Sequence, residues 1–134
     1  MNEHAVVRVH DVMNDRYVLM DGLETVAEAF AELKRTDARC IVVKKRDEAD
    51  EYGIVLLSDI AKKVIAADRS PERVNIYEVM SKPVISVSPD MDIRYTVRLF
   101  SQFGIAVAPV IEGGIVIGIV TYTDIVLNGL YAER

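Results

Sequence analysis

The segment "GIVTYTDI", residues 118–125, runs from apolar residues into a polar corner. A closely similar segment, "GIVLLSDI", occupies residues 53–60, which is 118 − 53 = 65 positions earlier. Each segment begins with Gly-Ile-Val, which predicts a buried strand, and ends with Asp-Ile, where the aspartate predicts the start of a helix. The chain therefore carries the same strand-to-helix corner twice.

The repetition continues upstream of the two corners. Asp-Val-Met at residues 11–13 matches Glu-Val-Met at residues 78–80, an offset of 80 − 13 = 67, and Val43 matches Val110 at the same offset. The change from 67 to 65 places two extra residues in the hairpin of the first copy. A nearly constant offset over most of the chain indicates two copies of one structural unit.

Each copy predicts the same order of elements, which is strand, helix, strand, strand, helix. The first helix of each copy is indicated by apolar residues three and four positions apart, namely Val26, Ala29, Phe30 and Leu33, and then Ile93, Val97 and Phe100. Strands are predicted over residues 17–20, 40–44 and 53–57, and over residues 84–87, 108–111 and 115–121. Gly113 and Gly114 predict a tight hairpin turn. The closing helices are expected to begin at Asp59 and Asp124.

These elements predict an α+β fold made of two β-α-β-β-α repeats. The first domain is expected over residues 10–66 and the second over residues 76–131. A repeat of about 60 residues lies near the lower limit for independent stability, so we expect the two repeats to pack as a pseudo-twofold pair. A cleft between two related halves is a usual place for a small ligand.

Composition restricts the partners and the compartment. The chain has 134 residues, a formal net charge of −5 and a pI near 5.0, which argues against a nucleic-acid surface because phosphate binding needs a concentrated basic face. No apolar run approaches the roughly 20 residues that span a bilayer, and the N-terminus lacks the pattern of a signal peptide. A single cysteine, Cys40, excludes an intramolecular disulfide. We therefore expect a cytoplasmic protein without nucleic-acid or membrane partners.

A family resemblance follows from the corner and the segment before it. Residues 118–125 resemble the G-h-h-T-x-x-D-h ending of a cystathionine-β-synthase (CBS) domain, where h is an apolar residue. Gly104-Ile105 followed by Ala108-Pro109-Val110 resembles the preceding G-I-x-x-h-P-V segment of that family. The resemblance covers both repeats, roughly residues 10–131. The whole chain resembles a stand-alone pair of CBS domains, which is also called a Bateman module.

The resemblance implies a regulatory function. CBS pairs bind adenosyl ligands such as AMP, ADP, ATP or S-adenosylmethionine in the cleft between their repeats, and they usually regulate a partner protein. By motif position Asp124 would accept the ribose hydroxyls, and Thr121 would add a hydroxyl nearby. The other implied ligand contacts are Thr123 beside the aspartate, an apolar wall of Ile105, Ala108 and Pro109, an opposite wall of Lys82, Pro83 and Val84, and the first-repeat corner of Ser58 and Asp59. Lys82 is the basic residue nearest in sequence that could approach a phosphate.

The two repeats depart from the family pattern to different degrees. The family often has a basic residue immediately before the aspartate, whereas Ser58 and Thr123 stand there in this chain. In the first repeat Leu56 replaces the threonine and Val42 replaces the proline. We therefore expect the corner of the second repeat to be the better ligand site.

Alternative interpretations remain open from the sequence. Asp59 and Asp124 could simply stabilise helix starts, as carboxylates do there without any ligand. The chain could be a pairing module that has lost its ligand and works through dimerisation alone. A small nucleotide-dependent enzyme is the third alternative, although no catalytic base, nucleophile or metal-ligand set converges in the sequence. The leading hypothesis is a homodimeric adenosyl sensor that requires no cofactor and is not an enzyme.

Overall fold

A computed structural model of the chain describes residues 6–82 and 84–130. In chain order its elements are helix α1 (Val9–Val12), strand β1 (Tyr17–Met20), helix α2 (Val26–Thr36), strands β2 (Cys40–Val43) and β3 (Gly53–Leu56), helix α3 (Leu57–Ile60), helix α4 (Ile93–Phe103), strands β4 (Val107–Glu112) and β5 (Ile115–Thr121), and helix α5 (Tyr122–Asp124). Helices α3 and α5 each continue as a π-helical turn, over Ala61–Ile65 and Ile125–Gly129. Short 3₁₀ helices cover Pro71–Arg73 and Ile76–Glu78.

The chain divides into two compact units. The first unit is residues 16–84, and the second unit combines residues 1–15 with residues 85–134. The units therefore do not coincide with the two sequence repeats. The predicted domain boundaries at residues 10–66 and 76–131 stay a prediction.

The first unit is a three-stranded sheet covered by α2. Strand β1 runs parallel to β2, and β2 runs antiparallel to β3. Helix α2 starts in a capping box, in which the Glu28 N–H donates to Thr25 Oγ1 at 3.1 Å and the Thr25 N–H donates to Glu28 Oε1 at 2.9 Å. Its buried side chains are Val26, Ala29 and Leu33, three of the four apolar positions that predicted this helix.

The second unit is built on the β4–β5 hairpin. Gly113 and Gly114 form the hairpin turn with φ angles of 59° and 79°. Positive φ at both central residues suits glycine and is the hallmark of the tight hairpin turn, so the predicted turn is confirmed. Helix α4 buries Phe100 completely and ends at Gly104, whose φ of 67° is the left-handed helix cap typical of glycine.

Each unit contains the N-terminal segment of the other repeat. Asn14, from the start of the first repeat, forms a β-bridge with Ile119 in the second unit. Ser81, at the matching position 81 − 14 = 67 residues later, forms the same bridge with Ile54 in the first unit. Exchange of these segments completes the packing of both units.

The strand predicted over residues 84–87 is wrong, because only Val87 pairs, in a parallel bridge with Val110. The Ile111 N–H donates to the Val87 carbonyl at 3.0 Å. Since N–H groups two residues apart on a strand point to the same side, position 109 would donate to the next carbonyl along, that of Ile85. Pro109 has no N–H, so the ladder cannot extend.

The closing helices begin at Leu57 and Tyr122, two residues before the predicted Asp59 and Asp124. The aspartates occupy the third helical position, where each carboxylate accepts the backbone N–H of the residue that precedes the helix. They therefore cap the helix start from inside the first turn. This position keeps both carboxylates at the end of a strand.

Candidate functional site

The corner of the second repeat joins β5 to α5 through a closed capping box. The Thr121 N–H and hydroxyl donate to Asp124 Oδ2 at 3.0 Å and 2.8 Å, and the Asp124 N–H donates to Thr121 Oγ1 at 3.1 Å. Both side chains are half-buried. The local sequence Thr-x-x-Asp thus fixes the carboxylate at the end of the strand.

A third donor reaches this carboxylate from the other end of the chain. The Asn14 amide Nδ2 donates to Asp124 Oδ2 at 2.7 Å, although the two residues are 110 positions apart. Its backbone is held by two hydrogen bonds of 2.9 Å to Ile119. Asn14 is not among the residues predicted from the sequence, although the 67-residue offset that aligns it with Ser81 marks it as part of the repeat.

Gly118 allows the N-terminal segment to lie against β5. A Cβ atom at this buried position would lie 3.0 Å from Met13 Sδ and 3.1 Å from the carbonyl oxygen of Asn14. Those distances are shorter than ordinary carbon contacts, so a side chain would push the segment away. The same relation holds in the first unit, where a Cβ on Gly53 would lie 2.8 Å from Met80 Sδ.

The three donors to Asp124 leave one oxygen of the carboxylate available. All of them end on Oδ2. Within residues 6–82 and 84–130, no group donates a hydrogen bond to Oδ1. A carboxylate oxygen without a protein donor can accept a hydroxyl hydrogen from a ligand.

The corner of the first repeat has the same backbone but fewer donors. The Leu56 N–H donates to Asp59 Oδ2 at 2.8 Å. Leu56 has no hydroxyl, and in the described part of the chain no hydrogen bond joins the Ser81 side chain to Asp59. Ser58 is exposed beside it.

The other predicted ligand residues fall in both units. Ala108 and Pro109 are buried in β4 opposite Val120 and Ile119, while Ile105 is half-buried and Thr123 is exposed. These four residues lie in the same unit as Thr121 and Asp124, whereas Ser58, Asp59, Lys82 and Val84 lie in the first unit. Pro83 lies outside the described residues.

Lys82, the predicted phosphate contact, is engaged by a carboxylate of its own unit. Its Nζ lies 2.5 Å from Asp50 Oδ1, and the Arg46 N–H donates to Asp50 Oδ2 at 2.8 Å. The Lys82 ammonium, with the Arg46 backbone N–H, holds the pKa of Asp50 well below its ordinary value. Asp50 thus neutralises the positive charge of Lys82, which was expected to approach a phosphate of the ligand.

The described residues give little support for metal binding, for nucleophilic catalysis or for a membrane span. No group of three histidine, cysteine, aspartate or glutamate side chains that could hold a metal ion occurs within residues 6–82 and 84–130. Burial raises the pKa of the Cys40 thiol to about 12, so this cysteine stays protonated at neutral pH. None of the helices within residues 6–82 and 84–130 has the length and apolar character that a membrane-spanning segment requires.

Comparison with known proteins identifies the family. The CBS domain matches residues 9–66 and 76–129, which shows that the chain belongs to the CBS-domain family and carries two such domains. An uncharacterised protein of Methanopyrus kandleri is 36% identical over 121 residues, covering 89% of this chain and 61% of that protein. The chain thus spans less than two thirds of that relative's length.

Solved structures of CBS proteins share the fold. The hexameric CBS-CP12 protein from bloom-forming cyanobacteria superposes with a TM-score of 0.89 at 36% identity, covering 96% of this chain and 75% of that chain. The CBS domain pair of protein MJ0100, solved in complex with 5′-methylthioadenosine and S-adenosyl-L-methionine, superposes with a TM-score of 0.74 at 25% identity, covering 90% of this chain and 97% of that one. The predicted α+β fold of a tandem CBS pair is confirmed.

Proposed function

We propose that the chain is a regulatory module that binds an adenosyl ligand and acts on a partner protein. The observation that carries the proposal is the Asp124 carboxylate, whose Oδ2 receives three protein donors while Oδ1 receives none from the described residues. An ionised acceptor forms stronger hydrogen bonds to ribose hydroxyls than a neutral one. The complexes of the related CBS pair with 5′-methylthioadenosine and S-adenosyl-L-methionine support the ligand class.

The proposed contacts follow from the corner. Asp124 accepts a ribose hydroxyl and Thr121 lies directly beside it. The remaining proposed ligand contacts are Thr123, the apolar residues Ile105, Ala108 and Pro109, and, for the segment and corner of the first unit, Ser58, Asp59, Lys82, Pro83 and Val84. The ligand class covers AMP, ADP, ATP and S-adenosylmethionine.

The proposed module binds its ligand without converting it. The Cys40 thiol is buried and protonated at neutral pH, so it is unsuited to nucleophilic attack. We further propose that the chain needs no cofactor, works in the cytoplasm and forms a homodimer. The hexameric assembly of the CBS-CP12 relative supports self-association in general.

A ligand screen tests the proposal. Thermal unfolding of the chain is followed with AMP, ADP, ATP, S-adenosylmethionine and 5′-methylthioadenosine, with guanosine and cytidine as controls. A ligand that binds only the folded chain raises the midpoint by mass action, so at least one adenosyl compound is expected to raise it, and chromatography is expected to recover that compound unchanged. Equal midpoints with all compounds would contradict the proposal.

Apolar side chains on helices of the second unit favour one other candidate, a pairing module that works without ligand. Leu127 and Leu130 lie three positions apart at the end of the closing helical segment and are 64% and 61% exposed. Neighbouring exposed apolar side chains mark interaction surfaces. Under this candidate, Leu127→Glu would dissociate the dimer in light scattering. Ile115→Glu, at a residue of equal exposure on β5, is the matched control.

A further inference from the structure

Asn14 holds a carboxylate that belongs to the other repeat. Its backbone is clamped to Ile119 by two hydrogen bonds of 2.9 Å, so the position of its Cβ is set by β5. From there the amide reaches Asp124 Oδ2 at 2.7 Å. The orientation of the amide follows from chemistry, because an ionised carboxylate only accepts hydrogen bonds and must face the NH₂ group.

The three bonds together determine which oxygen a ligand can use. The Thr121 N–H and hydroxyl approach Oδ2 from the helix start, and Asn14 approaches the same oxygen from the N-terminal segment. With Oδ2 held by the backbone, a hydroxyl and an amide, rotation of the carboxylate would break several bonds at once. Oδ1 is therefore kept as the acceptor for a ligand.

The first repeat lacks this arrangement. Ser81 forms the same β-bridge, with hydrogen bonds of 3.0 Å and 2.9 Å to Ile54, but its side chain is shorter and, in the part of the chain that the structure describes, makes no bond to Asp59. The bridge itself thus does not require an amide side chain. The Asn14 side chain therefore adds a hydrogen bond to Asp124 that the β-bridge itself does not require.

We propose that Asn14 is a positioning residue for ligand binding, which orients Asp124 so that Oδ1 accepts a ribose hydroxyl. The proposal rests on the proposed adenosyl function and names a residue of that site from outside the CBS corner motif. It also makes the N-terminal segment of residues 6–15 a part of the ligand site of the second unit.

Adenosine is the probe, because it carries the base and ribose common to the whole ligand class. Calorimetric titration compares adenosine with 2′-deoxyadenosine and 3′-deoxyadenosine in three proteins: wild type, Asn14→Ser and Ser81→Ala. In wild type, loss of the hydroxyl that donates to Asp124 is expected to weaken binding about 10-fold or more. In Asn14→Ser this deoxy penalty should shrink to about 3-fold or less, and in Ser81→Ala it should stay at the wild-type value.

The comparison separates a positioning role from a structural one. A substitution that only loosens the segment lowers the melting midpoint but leaves the ratio of adenosine to deoxyadenosine affinities unchanged, and that result would overturn the proposal. Asn14→Ala, which also keeps both backbone bonds to Ile119, is the second variant should Asn14→Ser fold poorly. A wild-type chain that binds no adenosine, or binds it no better than both deoxy forms, would overturn the ribose contact of Asp124 itself.

Discussion

The two strand-to-helix corners share a backbone but differ in side-chain chemistry. In both, an aspartate at the third helical position accepts the N–H of the residue before the helix, at 2.8 Å in the first repeat and 3.0 Å in the second. Among the described residues, the second corner alone adds a side-chain hydroxyl, from Thr121, and a side-chain amide, from Asn14. The backbone bond therefore suffices to form the corner, and the additional donors are what distinguishes a candidate ligand site from a helix cap.

The largest effect on stability is expected from the glycines that admit the exchanged segments. In Gly118→Ala the new Cβ would lie 3.1 Å from the backbone oxygen of Asn14, whereas in Gly53→Ala the closest atom is the flexible end of Met80 and the Ser81 oxygen is 3.4 Å away. Overpacking costs about 1–3 kcal/mol, so Gly118→Ala should lie at the upper end of that range and Gly53→Ala at the lower end. Urea unfolding measures both, and equal losses would contradict the difference between the corners.

A smaller effect is expected from exchanging the capping hydroxyl between the corners. Thr121→Val removes the hydroxyl that caps the closing helix of the second repeat, which costs about 1 kcal/mol. Leu56→Thr introduces that hydroxyl into the first repeat but removes half-buried apolar surface, so its net gain should be smaller. Thermal unfolding measures whether Thr121→Val lowers the midpoint and Leu56→Thr raises it. A higher midpoint for Thr121→Val would mean that the hydroxyl cap does not stabilise the second corner.

The smallest effect on stability is expected at Asp50, which lies in the β2–β3 hairpin, the longer of the two hairpins. Because Lys82 and Arg46 depress the pKa of Asp50 in the folded chain, this ion pair stabilises the fold above the ordinary aspartate pKa of about 3.9 and loses its effect as the pH falls below it. Asp50→Asn should therefore lower the midpoint of unfolding at neutral pH, and the deficit should narrow below about pH 4. A deficit that does not change with pH would show that packing, and not the charge, is responsible.

The sequence predicted most of the fold because its signals are local. Apolar spacing defined α2 and α4, and the paired glycines defined the β4–β5 turn. The features that the sequence did not predict correctly depend on contacts between residues that are far apart in the chain. Exchange of the N-terminal segments leaves no trace in local periodicity, and the strand over residues 84–87 is lost because Pro109, on a neighbouring strand, cannot donate.

Only those residues of the candidate site that belong to the family motif could be predicted from the sequence. Thr121 and Asp124 lie in that motif, and the structure brings them into direct contact. Asn14 lies outside it and is 110 residues from its partner. Similarly, nothing in the sequence alone indicated that Asp50 neutralises Lys82, because the ion pair depends on where the hairpin folds.

Calorimetric titration of Asp124→Ala and Asp59→Ala with the same adenosyl ligand tests the central claim most directly. Loss of a hydrogen bond to a charged group costs about 1.5–3 kcal/mol, which is roughly 10- to 150-fold in the dissociation constant. Asp124→Ala should therefore abolish most binding, while Asp59→Ala should leave most of it, with circular dichroism as the check that both variants fold. A larger loss in Asp59→Ala, or no loss in either, would show that the second corner is only a capped strand end.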